Sequence, residues 1–206
     1  LPLAFVIRGR QPRVRPKGET LAPAGQLAKH ARFQVRGTVK RGRDKYVEDA
    51  RGLLVRRDHV RVARRRKRPR EIPARAKWVH IDLAQQTLVA YEGDRPVYAT
   101  LVSSGKRGYA TRAGLFQVSR KYLSTTMDAT DPIDGFYRIE EVPWTMYYWR
   151  SYALHGAFWH DDFGVTRSHG CTNLAPVDAR WLFLWTTPTV PEFWHARLGA
   201  KGTWFV

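Results

Sequence analysis

Beyond residue 77 the chain carries apolar residues in short runs with a strand-like period. The stretches "WVHIDL" (78–83), "TLVAYE" (87–92) and "PVYATLVSS" (96–104) are separated by "AQQ" and by "GD", a frequent hairpin dipeptide. They predict an antiparallel meander. "LFQVSRKYL" (115–123) continues the pattern after the Gly-rich loop "GKRGYATRAG", and "YALHGA" (152–157) reads as a strand ending at His155. "APVDARWLFLW" (175–185) changes period: Pro176 near its start, Asp178 in the first turn and an apolar run after them predict a helix. The terminal "GTWFV" is expected to close a sheet.

Before residue 64 the pattern is choppier. "ARFQVRGTVKRGRDKYVEDARGLLVRRDHVRVAR" (31–64) alternates in short stretches broken by Gly37, Gly42 and Gly52, with Phe33 and Val35 on one face and Val55, Val60 and Val62 recurring between charges. A small β module is expected over 1–73, with residues 1–25 partly irregular because of Pro12, Pro16 and Pro23. Its pattern resembles a bacterial SH3-like domain, which implies a five-stranded barrel. A linker is placed at about 64–77, in "RRRKRPREIPARAK", where two prolines and a cationic run disfavour compact structure. Residues 74–206 form the second domain, so the whole reads as mostly β with one or two short helices.

Charge sharpens this division. Of the 206 residues, 36 are Lys or Arg and 18 are Asp or Glu. Residues 1–76 hold 23 basic and 6 acidic side chains, residues 77–206 hold 13 and 12, and all eight tryptophans lie in the second part. A basic module therefore precedes a nearly neutral, aromatic one. Its charge suits phosphates and anionic envelope polymers alike. No nucleic-acid recognition motif appears, so no specific nucleic-acid partner is expected. No apolar run approaches the ~20 residues that span a bilayer. "LPLAFVI" at the start is too short for a signal-peptide core, so any targeting segment is expected outside this numbering.

Cys171 is the single cysteine, which forbids an internal disulfide and leaves a buried small hydrophobe or a reagent. Three of the seven histidines, His155, His160 and His169, lie within the 16 residues before it. A free thiol ionises only near pH ~8.5, so a nucleophilic cysteine needs an imidazole to take its proton and a third group to fix the tautomer. The oxyanion formed by attack on a carbonyl needs fixed N–H donors, worth roughly 2.7–4 kcal/mol each. A glycine directly before the thiol lets the backbone turn tightly and aim successive N–H groups at one point. "SHGCTN" (168–173) supplies these parts, and His155 can fold back over it.

The stretch "HGAFWHDDFGVTRSHGCTN" (155–173) resembles the signature of the L,D-transpeptidase (YkuD-like) catalytic domain family, and the likeness extends back through "EVPWTMYYWRSYALHG" towards Trp78. The resemblance implies a β-sandwich catalytic domain and a set of roles. Cys171 is the nucleophile, His155 the general base oriented by the carbonyl of Gly156, and His169 shapes the pocket. The amides of Gly170 and Cys171 form the oxyanion hole. Ser168, Asn173, Trp159 and one of Tyr147 or Tyr148 are candidate substrate contacts, the two tyrosines not being separable. Asn173 stands where many members carry Arg, and "ATRAG" (110–114) lacks the proline of the matching loop.

The implied reaction is acyl transfer from a peptidoglycan stem peptide through a thioester on Cys171, giving 3→3 cross-links. Water, a D-amino acid or a protein amine as acceptor would give a carboxypeptidase, an exchange enzyme or a protein-to-wall ligase, and the sequence does not choose. Carbapenem susceptibility, an extracytoplasmic location and no cofactor follow from the same resemblance. A zinc site built from His155, His160, Asp161, His169 and Cys171 is the rival chemistry, but spacings of five and nine match no common metal pattern. A basic polymer- or nucleic-acid-binding protein is the rival of another class. His160 is read as structural, His30, His59, His80 and His195 as surface or core residues, and the aromatic run from Trp144 to Tyr152 as mostly core.

Overall fold

The computed structural model describes residues 1–131, 135–199 and 201–206. The N-terminal part forms seven strands: β1 (Leu3–Val6), β2 (Gln11–Lys17), β3 (Thr20–Leu27), β4 (Arg32–Arg41), β5 (Asp44–Asp49), β6 (Leu54–Arg56) and β7 (Val60–Ala63). They lie in one sheet in the order β3-β2-β6-β5-β4-β1-β7. This differs from the five strands expected, because residues 1–27 supply three regular ones. The prolines are tolerated for a positional reason. β3 is an edge strand, and β2 meets β6 only at Val14–Leu54, so the ladders ask little of the N–H groups that Pro12, Pro16 and Pro23 lack. Small aliphatic residues, Ala4, Val6, Val47, Val55, Val60 and Val62, fill the core of this module.

Residues 64–76 contain no strand, yet they are fastened to the second part. The Arg66 amide donates to Tyr91 Oη (2.8 Å), the Arg65 guanidinium to Asp94 O (2.8 Å), and Arg66 pairs with Asp82 at 2.7 Å. Ile72 is completely buried. The cationic run is solvent-facing but pinned, not a free tether.

The second part begins with the expected meander: β8 (Lys77–Asp82), β9 (Thr87–Glu92) and β10 (Arg95–Leu101), followed by the short β11 (Phe116–Gln117). A long hairpin comes next, β12 (Arg120–Asp131) and β13 (Gly135–Trp149), then β14 (Tyr152–Gly156) and β15 (Thr172–Leu174). Helix α1 (Pro176–Trp185), the one α-helix among the described residues, precedes β16 (Ala196–Arg197) and β17 (Trp204–Phe205). Two five-stranded sheets result, β10-β9-β8-β17-β11 and β15-β14-β13-β12-β16. The terminal β17 enters the first sheet between β8, to which it runs parallel, and β11.

The two sheets and α1 enclose Val79, Leu88, Val118, Met146, Leu154, Leu174, Leu182 and Phe205. Pro176 starts α1, where its missing N–H costs nothing. At the other end of the helix the buried Lys121 of β12 donates to Phe183 O and, at 2.9 Å, to Thr186 O. A cation there complements the helix dipole. Burial pushes this ammonium down to about 7. Lys121 thus ties the base of the long hairpin to the helix that follows the thiol.

A second core cluster crosses the boundary drawn by composition. Phe5, Ile7 and Ala63 of the module pack with Ile72, Trp78, Val89, Tyr91, Leu101, Ala157 and Phe163. Trp78 is fully buried, stacks on Tyr91 with ring centroids 4.1 Å apart, and donates its indole N–H to Gly93 O (2.7 Å).

Candidate active site

Strands β14 and β15 run parallel, pairing Leu154 with Thr172 and His155 with Asn173. Cys171 immediately precedes β15, and this short parallel ladder brings it and His155 into one cavity of about 490 Å³. The same space is lined by Trp159, Arg167, Ser168, His169 and Asn173. A second cavity of about 370 Å³ opens on the other side of the thiol, lined by Tyr109, Asp128, Tyr137, Tyr147, Tyr152 and Gly170 among others. Cys171, His169, Tyr137 and Met127 belong to both walls. The thiol therefore sits where two lobes of a cleft meet.

His155 is 3% exposed, and its Nδ1 lies 3.1 Å from Gly156 O. A carbonyl only accepts, so Nδ1 carries the proton and Nε2 keeps its lone pair. Burial pushes the imidazole down to about 4, the hydrogen bond to Gly156 opposing and His160 adding to the depression. Burial also pushes the Cys171 thiol up to about 11, against a backbone hydrogen bond from Ala153. At neutral pH the pair rests as thiol and neutral imidazole, not as an ion pair.

The turn before the thiol is set by Gly170. Its φ is +121°, and a Cβ there would stand 3.0 Å from the Tyr152 ring. Ser168 braces the turn from inside: its hydroxyl accepts the Gly170 N–H (3.1 Å) and donates to Cys171 O. The Gly170 amide is thus engaged within the loop in this state. Thr111, from the stretch lacking the expected proline, donates to Gly170 O (2.8 Å) and accepts the Gly105 N–H (2.8 Å).

His169 stacks on Tyr137, centroids 4.8 Å apart and 16° from parallel, and meets the edge of Tyr109 at 4.6 Å. Trp159 stacks on His155 at 5.8 Å and forms part of its cover. Asn173 is buried, exchanges backbone hydrogen bonds with Ser103 at 2.9 Å, and its side-chain amide meets His160 Nε2 at 2.9 Å. The Asp162 N–H donates to His160 Nδ1 (3.2 Å), which leaves Nε2 as the ring atom that faces Asn173 Nδ2. His160 is thus a brace for Asn173.

The structure separates the two tyrosines. Tyr147 lines the cleft beside Cys171, its phenol held above its ordinary range by burial and then by the thiol. Tyr148 is buried in the core against Phe116 and Phe205, its phenol likewise held up by burial and then by the thiol, with the Thr172 side chain opposing. Residues of the long hairpin, Met127, Tyr137 and Ile139, escaped the sequence reading although they wall the cleft. Their signal was present in the alternation on either side of "DPIDG" (131–135), a stretch rich in turn formers. Among the described residues, no group of three or more His, Cys, Asp or Glu side chains is arranged to hold a metal ion.

A family model described as YkuD, L,D-transpeptidase catalytic domain, matches residues 76–200. The crystal structure of an Enterococcus faecium L,D-transpeptidase mutant is 24% identical, with a TM-score of 0.52 over 64% of this chain and 49% of that one. L,D-transpeptidase 3 from Mycobacterium tuberculosis is 18% identical, with a TM-score of 0.52 over 75% of this chain and 72% of that one. The Ldtfm–avibactam carbamoyl enzyme is 19% identical, with a TM-score of 0.53 over 98% of this chain and 74% of that one. These likenesses are of fold. The chain spans about half the length of the E. faecium structure. No curated protein sequence matches it.

Proposed function

This chain belongs to the YkuD, L,D-transpeptidase catalytic domain family, and from that premise we propose that it is a cysteine acyltransferase acting on peptidoglycan stem peptides. The observation that carries the reading is the His155 tautomer. With Nδ1–H held by Gly156 O, the Nε2 lone pair is available inside the cavity that holds the chain's single thiol.

The chemistry follows from those two groups. Sγ attacks the amide carbonyl between the diamino acid and the terminal D-Ala of a tetrapeptide stem while its proton passes to His155 Nε2. The oxyanion is held by the Cys171 amide, joined by the Gly170 amide on its release from Ser168. Collapse breaks the C–N bond, His155 returns the proton to the leaving amine, and D-Ala departs. A thioester to the stem remains. An amine from a second stem then attacks the thioester carbonyl, loses a proton to His155, and the thiol is restored. The neutral resting pair suits this order, because the proton moves only when substrate is present.

The two-lobed cleft favours an amine acceptor over water. Hydrolysis needs one bound peptide, whereas cross-linking needs two that meet at the sulfur. The lobe containing His155 also holds Lys106 and Arg167, which suit an anionic donor. The other lobe carries the carboxylate of Asp128, which suits a cationic amine. On the same reading the substrate places the enzyme outside the cytoplasmic membrane. Exposed cations of the module, among them Arg15, Lys17, Arg32 and Lys40, would meet anionic envelope polymers there.

Intact-protein mass after incubation with a tetrapeptide muropeptide tests the proposal. The expected product is an adduct equal to the stem minus D-Ala, mapping to Cys171. Cys171→Ser should take none, and His155→Ala should acylate roughly 10²–10⁴-fold more slowly. A carbapenem should acylate the same sulfur. A native protein that gains no mass from either reagent, or an adduct elsewhere, rejects the thiol mechanism.

A further inference from the structure

The segment between the base and the nucleophile, residues 157–167, is held from the N-terminal side by three separate contacts. The Lys29 ammonium lies 2.8 Å from Asp161 Oδ1 and 3.6 Å from Asp162 Oδ1. The Arg61 guanidinium donates to Gly164 O at 2.8 Å. Ile7 closes over Gly164, where the backbone φ is +99° and a Cβ would stand 2.3 Å from Ile7 Cγ2, so only glycine lets the two parts approach this closely.

The turn that presents Lys29 is itself fixed. The His30 N–H donates to Val6 O (2.8 Å), the Val6 N–H to Ala31 O (2.9 Å), and the His30 ring tilts against Phe163 at 6.0 Å. On the other side, Asp162 leads directly into the site. Its N–H holds His160 Nδ1, its carbonyl accepts from Ser103 Oγ (2.9 Å), and its carboxylate pairs with Arg167 at 3.1 Å. His160 then holds Asn173, the residue in register with His155. Trp159, two residues before Asp161, stacks on His155. Both ends of this loop thus reach the catalytic pair, and its middle is gripped by the module.

We infer that the basic module is a positioning element of the active site, with Lys29 acting through Asp161 and Asp162 to hold the loop wall formed by Trp159 and Arg167 and the His160 brace behind it. This rests on the acyl-transfer reading for its functional consequence, though not for its structural one. Lys29 is a positioning residue, since it touches neither sulfur nor the cavity. Its partners are substantially exposed, with side-chain exposures of 74% for Asp161 and 43% for Asp162, so the pair contributes little to global stability. Its effect belongs to the placement of the loop.

The test compares the native chain with Lys29→Ala and Lys29→Arg, using two reagents on Cys171. Alkylation by a bulky maleimide reports how open the loop wall is, independently of any peptidoglycan chemistry. Acylation by the tetrapeptide muropeptide, measured over donor concentration, reports the productive geometry. Lys29→Ala should alkylate about fivefold faster and acylate about fivefold more slowly at saturating donor, the size an ion pair of this kind can sustain. The unfolding midpoint should stay near the native value, and Lys29→Arg should restore both rates. Equal maleimide rates for native and Lys29→Ala would overturn the inference, as would failure of Lys29→Arg to restore them. If the native chain takes no acyl group at all, the acyl-transfer reading falls and the maleimide comparison alone decides this one.

Discussion

The two halves of this chain differ in composition at nearly every level and nevertheless share a core. Residues 1–76 hold 23 basic side chains against 6 acidic and no tryptophan, and their own core is a cluster of valines and alanines. Residues 77–206 are almost neutral, hold all eight tryptophans, and build their main core from aromatic and large aliphatic side chains. Composition alone describes two units joined by a cationic linker. The packing describes something else. Phe5 and Ile7 leave the valine cluster and enter the one that contains Trp78 and Tyr91, while Lys29 and Arg61 reach the loop between His155 and Cys171. Charge is partitioned at residue 76 because surface residues answer to solvent and partners. Burial is not partitioned there, because Phe5, Ile7 and Ala63 find their apolar neighbours across the boundary.

Removing residues 1–73 would break this comparison most severely. If the halves were independent, the remainder would keep its fold and its thiol chemistry. The shared cluster predicts the opposite: the truncated chain should lose cooperative thermal unfolding and muropeptide acylation together. Calorimetry beside the mass assay reads both, and a sharp transition with native acylation would restore the picture of two separable units.

A subtler probe keeps the chain whole and empties one side of the junction. Phe5 is 5% exposed and packs in the shared cluster, so Phe5→Ala should cost about 3–5 kcal/mol in denaturant titration. Val47, buried within the module's own cluster, provides the contrast. Val47→Ala deletes two methyl groups, fewer atoms than Phe5→Ala, and should cost less. More importantly, Phe5→Ala should slow acylation whereas Val47→Ala leaves it alone. Equal effects on acylation would mean that the junction has no special bearing on the site.

Acid places the smallest of these effects in the second half. His155 is neutral in the fold with its imidazole pushed down to about 4, against 6.5 for an unperturbed group. The unfolded chain therefore binds more protons between these values, and stability rises with pH across that window. The contribution is complete above about pH 6.5 and is lost as pH falls through 4, amounting to about 3 kcal/mol. His155→Gln should be correspondingly less acid-sensitive than the native chain between pH 6.5 and 4. Parallel losses in the two proteins would show that His155 is not the neutral buried group described here. The remaining acid sensitivity should come from His30, His80 and His160, whose imidazoles are also held down by burial.

What the sequence determined by itself was local chemistry and local period. The meander from Trp78 to Leu101 and the start of α1 at Pro176 rest on residues close in sequence, and the expected partnership of Cys171 with His155 rests on resemblance to a family signature. Backbone propensity and hydrogen-bond reach act over those distances. Neighbouring Tyr147 and Tyr148 mark where this ends. Alternation along a strand says that they face opposite ways, but only the packing of β13 decides that Tyr147 lines the cleft and Tyr148 is buried against Phe116 and Phe205. The same holds for Met127, Tyr137 and Ile139, whose hairpin reaches over the site by tertiary pairing, and for the prolines of β2 and β3, tolerated because β3 is an edge strand and β2 meets its inner neighbour at one residue pair. It holds most of all for the clamp on residues 157–167. Arg61 and Gly164 stand 103 residues apart, and no periodicity in either segment refers to the other. Contacts of that range exist only after two surfaces of complementary shape have come together, which is a property of the folded core and not of any stretch of chain.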